Sequence, residues 1–363
     1  MTSRIASLRH KMAARKLDAL LVSQAQNIRY LSGFTSGEDA ALFITARSAH
    51  ILTDFRYLGM VNELRPEYTL KETSAALPLD KAVLNLVQET SACRVGFEGH
   101  CLTYGTYRDL RKTLLVDGRA AARLVPVPRL VEEIRATKEP GELALMERAI
   151  ALGDAAFAHV VERLKAPGAA IMTEQQVAWQ LERYMRENGA EGLAFPVAVA
   201  AGANSAVPHH HSGDRPLGPG EPIWIDMGAR VDGYCSDLTR TFCLGEPDAR
   251  YREIYAVVLR AQLAAEDALR PGVSGKRVDA AARQVISDAG YGDAFRHGTG
   301  HGVGLAVHEL PRLGVQAPET PLVPGNVVTV EPGIYLPGWG GIRIEDMAVL
   351  TADGCRILTT ASK

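Results

Sequence analysis

The stretch PLGPGEPIWIDMG at residues 216–228 has a counterpart, PLVPGNVVTVEPG, at residues 321–333. Its proline, leucine and glycine residues recur at a constant spacing of 105 positions, and this alignment places Asp226 over Glu331. The helix signals upstream of each copy also recur, as a helix that stops at Pro-Gly followed by a helix that stops at a glycine. We therefore predict two similar halves related by a pseudo-twofold axis.

The residues before this repeat have a different pattern, in which short apolar runs alternate with amphipathic stretches. Strands are predicted at Ala19–Val22, Asn27–Leu31, Ala41–Thr45 and His50–Leu52, with helices between them. The prolines Pro126 and Pro128 mark the end of this region. We predict a small α/β domain over residues 1–132 and a second domain over residues 133–363.

Composition limits the classes of partner and compartment. The 363 residues carry a formal net charge of −2, which gives no electrostatic reason to expect nucleic acid or a membrane as a partner. The five cysteines form no CxxC pair, and no segment resembles a secretory signal or a membrane span. The sequence predicts a cytoplasmic protein.

Asp226 follows an apolar run that is typical of a buried strand, and Asp232-Gly233 is a strong hairpin signal. With that dipeptide in the turn, Asp226 faces Thr239, and Asp237 is its diagonal neighbour at roughly 7 Å. Two buried carboxylates on one strand face repel each other and resist ionisation unless a cation lies between them.

The second half repeats this arrangement, with Glu331 and Glu345 predicted on paired strands joined by the Gly338–Gly341 loop. Any one of these acids could be an ordinary turn or salt-bridge residue, paired for example with Arg240 or Arg343. Four acids placed by an internal repeat instead favour a metal site. Two divalent cations would balance four carboxylates and leave a bridging hydroxide as the nucleophile. Oxygen ligands without thiolates favour Mn²⁺, with Co²⁺ or Zn²⁺ as alternatives.

Several of these motifs together resemble one family, the pita-bread metallopeptidases, in the branch of aminopeptidase P and proline dipeptidase (prolidase). The motifs are Asp226-Met227-Gly228, Asp237–Phe242, His301–Leu305 with His308, Glu331-Pro332-Gly333, and Arg343–Asp346. The resemblance covers nearly the whole chain. It implies a smaller creatinase-like N-terminal α/β domain followed by a C-terminal pita-bread (creatinase/aminopeptidase) α+β domain that contains the internal pseudo-twofold repeat.

The resemblance also implies a role for each site residue. Asp226 would bind one metal, His301 and Glu331 the other, and Asp237 and Glu345 would bridge the two. Glu331 would also shuttle the proton from the attacking water to the leaving nitrogen.

Four further residues would contact the substrate or surround it. His209 would assist at the substrate, and His308 would donate a hydrogen bond to the developing oxyanion. His297 would line or orient the proline pocket. Arg343 would orient a ligand acid or contact the substrate, and the sequence does not separate these two roles. His210 and His211 fall outside the family register and are expected at the surface or at the site entrance.

The resulting functional hypothesis is an Xaa-Pro aminopeptidase, with an Xaa-Pro dipeptidase (prolidase) as the alternative. Discrimination between the two would come from a cation or a steric block positioned to receive the free carboxylate of a dipeptide, and loops that close the site are not visible as motifs. A nonhydrolytic pita-bread peptide-binding module and a structural oligomer with an inactive site are alternatives of other classes, and the complete ligand set argues against both. The resemblance further implies an Xaa-Pro peptide as the partner molecule and a homodimer or higher homo-oligomer.

Overall fold

A computed structural model describes residues 3–62, 64 and 68–363 of the chain. Internal contacts divide the chain into two compact units, Met1–Arg135 and Ala136–Lys363. Within the described ranges, no helix combines the length and the apolar character needed to cross a membrane.

The first unit is an α/β domain around a six-stranded mixed sheet. Its helices are α1 (Arg4–Ala14), α2 (Ala25–Ser32), α3 (Leu58–Asn62), α4 (Leu79–Thr90), α5 (Tyr104–Thr113) and α6 (Leu130–Arg135). Its strands are β1 (Ala19–Val22), β2 (Ala40–Thr45), β3 (Ala49–Thr53), β4 (Thr69–Glu72), β5 (Arg94–Glu98), β6 (Leu115–Val116), β7 (Arg119–Ala120) and β8 (Arg123–Val127). The six strands of the sheet lie in the order β4-β3-β2-β1-β5-β8. Pro126 lies in the edge strand β8, a position that tolerates its missing N–H.

One predicted strand of this unit is wrong, because Asn27–Leu31 lies in helix α2. The carboxylate of Glu98 accepts hydrogen bonds from the backbone N–H groups of Ser23 (2.6 Å) and Gln24 (2.7 Å). Glu98 therefore anchors the two residues that immediately precede this helix. The acid that does so comes from β5, so the local sequence gave no sign of it.

The second unit contains four helices and thirteen strands within the described residues. The helices are α7 (Pro140–Lys165), α8 (Glu174–Glu187), α9 (Ala249–Ala268) and α10 (Gly275–Asp288). The strands are β9 (Gly192–Leu193), β10 (Ala198–Ala201), β11 (Ile223–Met227), β12 (Ala229–Val231), β13 (Tyr234–Cys235), β14 (Leu238–Phe242), β15 (Gly300–Gly302), β16 (Glu309–Leu313), β17 (Val327–Val330), β18 (Gly333–Leu336), β19 (Gly340–Arg343), β20 (Asp346–Leu350) and β21 (Cys355–Ile357).

The predicted internal repeat is confirmed by contacts that recur at matched positions. The residues that precede α8 and α10, Thr173 and Ser274, form β-bridges to the matched prolines Pro216 and Pro321. Each half has its own hydrophobic core, under α7 and α8 in the first half and under α9 and α10 in the second. The sheet β10-β11-β14 of the first half corresponds to β15-β17-β20 of the second.

Strand β15 carries His301 between two glycines, and both glycines are required by neighbouring backbone. A Cβ atom on Gly300 would lie 2.0 Å from the carbonyl oxygen of Thr329, and one on Gly302 would lie 2.1 Å from that of Leu310. The glycines thus let the adjacent chain segments close on both sides of His301.

We expect Gly302→Ala to lower the free energy of unfolding by about 2 kcal/mol or more, because the backbone oxygen has no room to move away. The midpoint of urea unfolding measures this change. The matched control is Gly141→Ala in α7, where an added Cβ meets no atom within 4 Å. A wild-type midpoint for Gly302→Ala would contradict the steric argument.

Candidate metal centre

The first acidic hairpin has the predicted register. Asp226 in β11 pairs with Thr239 in β14, and Asp237 immediately precedes β14. The turn residues Asp232 and Gly233 both have positive φ, at 48° and 81°, as a two-residue type I′ hairpin turn requires.

The second pair of acids brackets a separate hairpin, as Asp226 and Asp237 bracket β12–β13 in the first half. Glu331 follows β17 and Glu345 precedes β20, while the chain between them forms the separate hairpin β18–β19. The two halves meet here, because the backbone N–H of Glu345 donates to the carbonyl oxygen of Thr239 at 3.0 Å. The Thr239 hydroxyl donates to Oε2 of Glu345 at 2.7 Å. Contact between the halves therefore brings both acidic pairs together.

His301 lies among these acids. One ligand atom from each of Asp237, His301 and Glu345 lies within 4.8 Å of the others. The His301 Nε2 atom is 3.6 Å from Oδ2 of Asp237 and 3.3 Å from Oε1 of Glu331. Nδ1 of His301 donates to the carbonyl oxygen of Gly302 at 3.0 Å. This bond fixes the tautomer and leaves Nε2 available as a ligand.

Arg343 connects Asp226 to the rest of the site. It is 3% exposed, and its guanidinium donates to Oδ2 of Asp226 at 2.6 Å, to the Thr239 hydroxyl at 3.1 Å and to the Tyr335 hydroxyl at 2.8 Å. It also donates to the carbonyl oxygen of Pro208 at 3.3 Å. Of the two roles left open by the sequence, these contacts favour orienting the acid.

The electrostatics of the site are those of crowded negative charge. Burial and the charges of Glu345 and Asp226 hold the pKa of Asp237 well above its ordinary value. Burial and the charges of Glu331 and Asp226 do the same to the pKa of Glu345. Burial also raises the pKa of Asp226, and the charge of Arg343 offsets only part of this effect. Ionisation of these acids therefore needs additional positive charge.

Glu331 and His301 interact closely, and each shifts the pKa of the other. Burial raises the pKa of Glu331, but its hydrogen bond to His301 and the imidazolium charge outweigh burial and lower that pKa to about 2. Burial lowers the pKa of His301, and the interaction with Glu331 reverses that effect, so the pKa lies above its ordinary value. Without metal, protonated His301 supplies the positive charge next to Glu331.

These observations fit bound divalent cations. Within the described part of the chain, no hydrogen-bond donor reaches the buried Oδ1 atom of Asp226. Carboxylate oxygens with one imidazole are a typical donor set for such ions. Asp226, Asp237, His301, Glu331 and Glu345 would hold them, as the resemblance implies.

The remaining candidate residues line one cavity of about 880 Å³ together with the five ligand candidates. His209 and His308 are exposed at this cavity, and the rings of His308 and His301 are 4.2 Å apart. Burial and the charge of His301 lower the pKa of His308.

His297 also lines the cavity, and both of its ring nitrogens contact neighbouring protein groups. Its Nδ1 atom donates to the carbonyl oxygen of Gly298 at 2.8 Å, and its Nε2 atom lies 3.1 Å from the Tyr335 hydroxyl. Burial lowers the pKa of His297. This geometry is consistent with the predicted role in shaping the pocket.

Arg312, which no sequence pattern predicted as a site residue, also lines the cavity. Arg312 lies directly across the β15–β16 ladder from His301, and its side chain is exposed. Among the described residues, no carboxylate forms an ion pair with it. No motif marks this arginine, and only strand pairing brings it beside the metal candidates.

Comparison with known proteins gives two family matches. Residues 144–352 match metallopeptidase family M24, and residues 4–137 match the Creatinase/Prolidase N-terminal domain. The expected fold, a creatinase-like domain followed by a pita-bread domain, is thereby confirmed.

Full-length relatives agree with this result. An Xaa-Pro dipeptidase of Pyrococcus horikoshii is 33% identical over 100% of this chain and 98% of its own length. The solved structure of an Xaa-Pro dipeptidase from Bacillus anthracis has a TM-score of 0.92 at 36% identity, covering 99% of this chain and 98% of that one. The structure of an X-Pro aminopeptidase from Thermotoga maritima has a TM-score of 0.86 at 34% identity, covering 96% of each chain. This chain therefore belongs to metallopeptidase family M24 and is a hydrolase.

Proposed function

We propose that the protein is an Xaa-Pro dipeptidase that hydrolyses the bond before proline in a free dipeptide. The observation that carries this choice is Arg312, a cation at the cavity opposite His301 that has no ion-pair partner in the part of the chain that the structure describes. The sequence alone favoured an Xaa-Pro aminopeptidase, and it identified no residue for the carboxylate that a dipeptidase must receive. Arg312 supplies such a residue.

The relatives support the same choice. Proteins named Xaa-Pro dipeptidase or prolidase are similar over almost the whole chain, both in sequence and in structure. The aminopeptidase remains the second candidate, because the X-Pro aminopeptidase of Thermotoga maritima is also similar over most of the chain.

Asp226, Asp237, His301, Glu331 and Glu345 are proposed to hold two divalent cations, with Mn²⁺ as the expected metal. When bound, such ions polarise the scissile carbonyl and lower the pKa of a water molecule. Arg343 holds Asp226 at 2.6 Å, and Thr239 holds Glu345 at 2.7 Å. These two contacts keep the acids oriented for ligand binding.

The other residues act on the substrate. Glu331 would accept a proton from the attacking water and pass it to the leaving proline nitrogen, the role that the family resemblance implies for it, and its carboxyl group is ionised as a proton acceptor must be. His308 and His209 would donate hydrogen bonds to the carbonyl oxygen as negative charge develops there. His297 would form one side of the proline pocket.

Arg312 would bind the free carboxylate of the substrate. A guanidinium offers two parallel N–H donors that match a carboxylate. Such a contact discriminates against longer peptides, in which an amide group replaces the charged oxygen atoms.

Substrate length provides the direct test of this proposal. We expect the Mn²⁺-loaded protein to cleave an Xaa-Pro dipeptide with a kcat/KM at least about 100-fold above that for the matching Xaa-Pro-Yaa tripeptide, the effect of losing about 2.7 kcal/mol of binding. Product formation followed by liquid chromatography measures both rates. Equal or faster cleavage of the tripeptide would favour the aminopeptidase.

We expect Arg312→Gln to raise KM for the dipeptide about 10- to 100-fold, since a charge-assisted contact contributes about 1.5–3 kcal/mol. Turnover of an Xaa-Pro amide, which lacks the carboxylate, should change little. Arg296→Gln is the matched control, because Arg296 lines the same cavity but donates to the carbonyl oxygen of Asp293. Equal losses for both substrates would contradict the assigned role.

We expect Asp237→Asn to weaken Mn²⁺ binding by more than about 10-fold, because it removes a negatively charged candidate ligand. Loss of an outer-shell partner alone costs roughly 10-fold. Titration calorimetry and the metal content of the purified protein measure the change in Mn²⁺ binding. Asp232→Asn, the same change in an exposed turn, is the control. Unchanged metal content would contradict the ligand assignment, and full activity of the metal-free variant would contradict the metal-dependent mechanism.

We further propose that the protein is cytoplasmic and forms a homodimer or a higher homo-oligomer. Light scattering over a range of protein concentrations tests the assembly state, and a monomer throughout would contradict it.

A further inference from the structure

The three consecutive histidines at positions 209–211 have three different environments. His209 lines the metal cavity, whereas His211 lines a separate groove of about 1030 Å³. His210 lines neither, and its Nε2 atom lies 2.8 Å from Oε2 of Glu174. It was expected at the surface or at the site entrance, but it is partly buried against Glu174.

Glu174 is a fully buried carboxylate that contacts residues before and after His209. Its side chain is 0% exposed. Oε1 accepts hydrogen bonds from the backbone N–H of Ala201 and the side-chain amide of Asn204, both at 2.9 Å. Oε2 accepts from the backbone N–H of Gly213 at 3.1 Å, in addition to its contact with His210. These four partners lie on both sides of His209 in the sequence, so Glu174 closes the loop that carries it.

The environment of Glu174 favours its charged form. It is the first residue of α8, where the helix dipole stabilises negative charge. Burial raises the pKa of Glu174, but the hydrogen bonds from His210 and the backbone of Ala201 outweigh this and lower it overall. The contact with His210 is therefore made to an ionised carboxylate.

The other side of His209 is also fixed. The carbonyl oxygen of Pro208 accepts a hydrogen bond from Arg343 at 3.3 Å, and Arg343 also holds Asp226. The neighbours of His209 are thus held by two buried charged groups, one on each side. His209 itself remains free to face the cavity.

The second half of the repeat contains a comparable buried acid. Asp279 in α10 is 1% exposed and accepts hydrogen bonds from the backbone N–H (3.0 Å) and the hydroxyl (2.9 Å) of Thr299. Thr299 lies two residues before His301. In each half, then, a buried acid near the start of the second helix holds the segment that carries a functional histidine.

We propose that Glu174, acting through His210, is a positioning residue that fixes His209 for contact with the substrate. This inference rests on the proposed function, in which His209 contacts the reacting carbonyl. His210 itself touches neither the substrate nor the metal candidates and transmits the constraint from Glu174 to the backbone next to His209.

Hydrogen–deuterium exchange tests the constraint without any catalytic readout. We expect His210→Ala to speed amide exchange in residues 202–213 about tenfold or more, since it removes a hydrogen bond to a charged group. His211→Ala, in the neighbouring position with no contact to Glu174, is the matched control and should leave this segment unchanged. His210→Gln keeps a donor for Glu174 and should restore slow exchange. Wild-type protection in His210→Ala would overturn the proposal.

A double-mutant cycle tests whether the constraint acts through His209. On an Xaa-Pro dipeptide, His210→Ala should lower kcat about tenfold, with a smaller change in KM. In a His209→Ala background, the same replacement should change kcat by less than about twofold, because the group being positioned is absent. Equal losses in both backgrounds would overturn the proposal and indicate a general structural role. If the wild-type protein fails to cleave the dipeptide, the proposed function is contradicted, while the exchange experiment still decides the constraint.

Discussion

The concentration of negative charge in one buried space constrains the whole catalytic unit. Asp226, Asp237, Glu331 and Glu345 lie close enough to affect one another's ionisation, and a low-dielectric interior makes this repulsion costly. The protein compensates part of it, through Arg343 at Asp226, His301 at Glu331 and the Thr239 hydroxyl at Glu345. Bound divalent cations would compensate the rest. The same imbalance that destabilises the metal-free site would therefore favour metal binding.

Both halves of the duplicated architecture contribute acids to this site. The residues that differ between the halves make the site asymmetric. Asp226 and Glu331 are matched acids, but Asp226 faces Thr239 across its ladder. In the second half, the pairing of Val330 with Asp346 instead sets Glu331 beside Glu345. The candidate imidazole ligand, His301, comes from the second half, and the candidate substrate histidine, His209, comes from the first. Arg312 lies on the second-half side only. A symmetric scaffold thus presents an asymmetric cavity, as a substrate with distinct ends requires.

Buried charged residues hold the reacting groups in position through hydrogen bonds. Glu174 holds the loop that carries His209, and Asp279 holds the residues before His301. Arg343 joins Asp226 to the carbonyl oxygen of Pro208. Each of these contacts links a rigid helix or strand to an irregular segment. Such links fix the position of side chains on loops, which backbone hydrogen bonding alone leaves mobile.

The sequence by itself determined the two-half organisation, the helix starts and stops of the second unit, and the register that sets Asp226 opposite Thr239. These features depend on short-range rules, namely capping boxes, glycine stops and a two-residue turn, and on a repeat that is visible as fixed spacing. Only the tertiary structure decided that Asn27–Leu31 is helical, where Glu98 of β5 binds the backbone just before the helix and the side chain of Asn27. It also decided that Arg312 faces His301 and that His210 contacts Glu174. Those contacts join residues distant in the chain, and no local pattern encodes which distant groups a fold brings together.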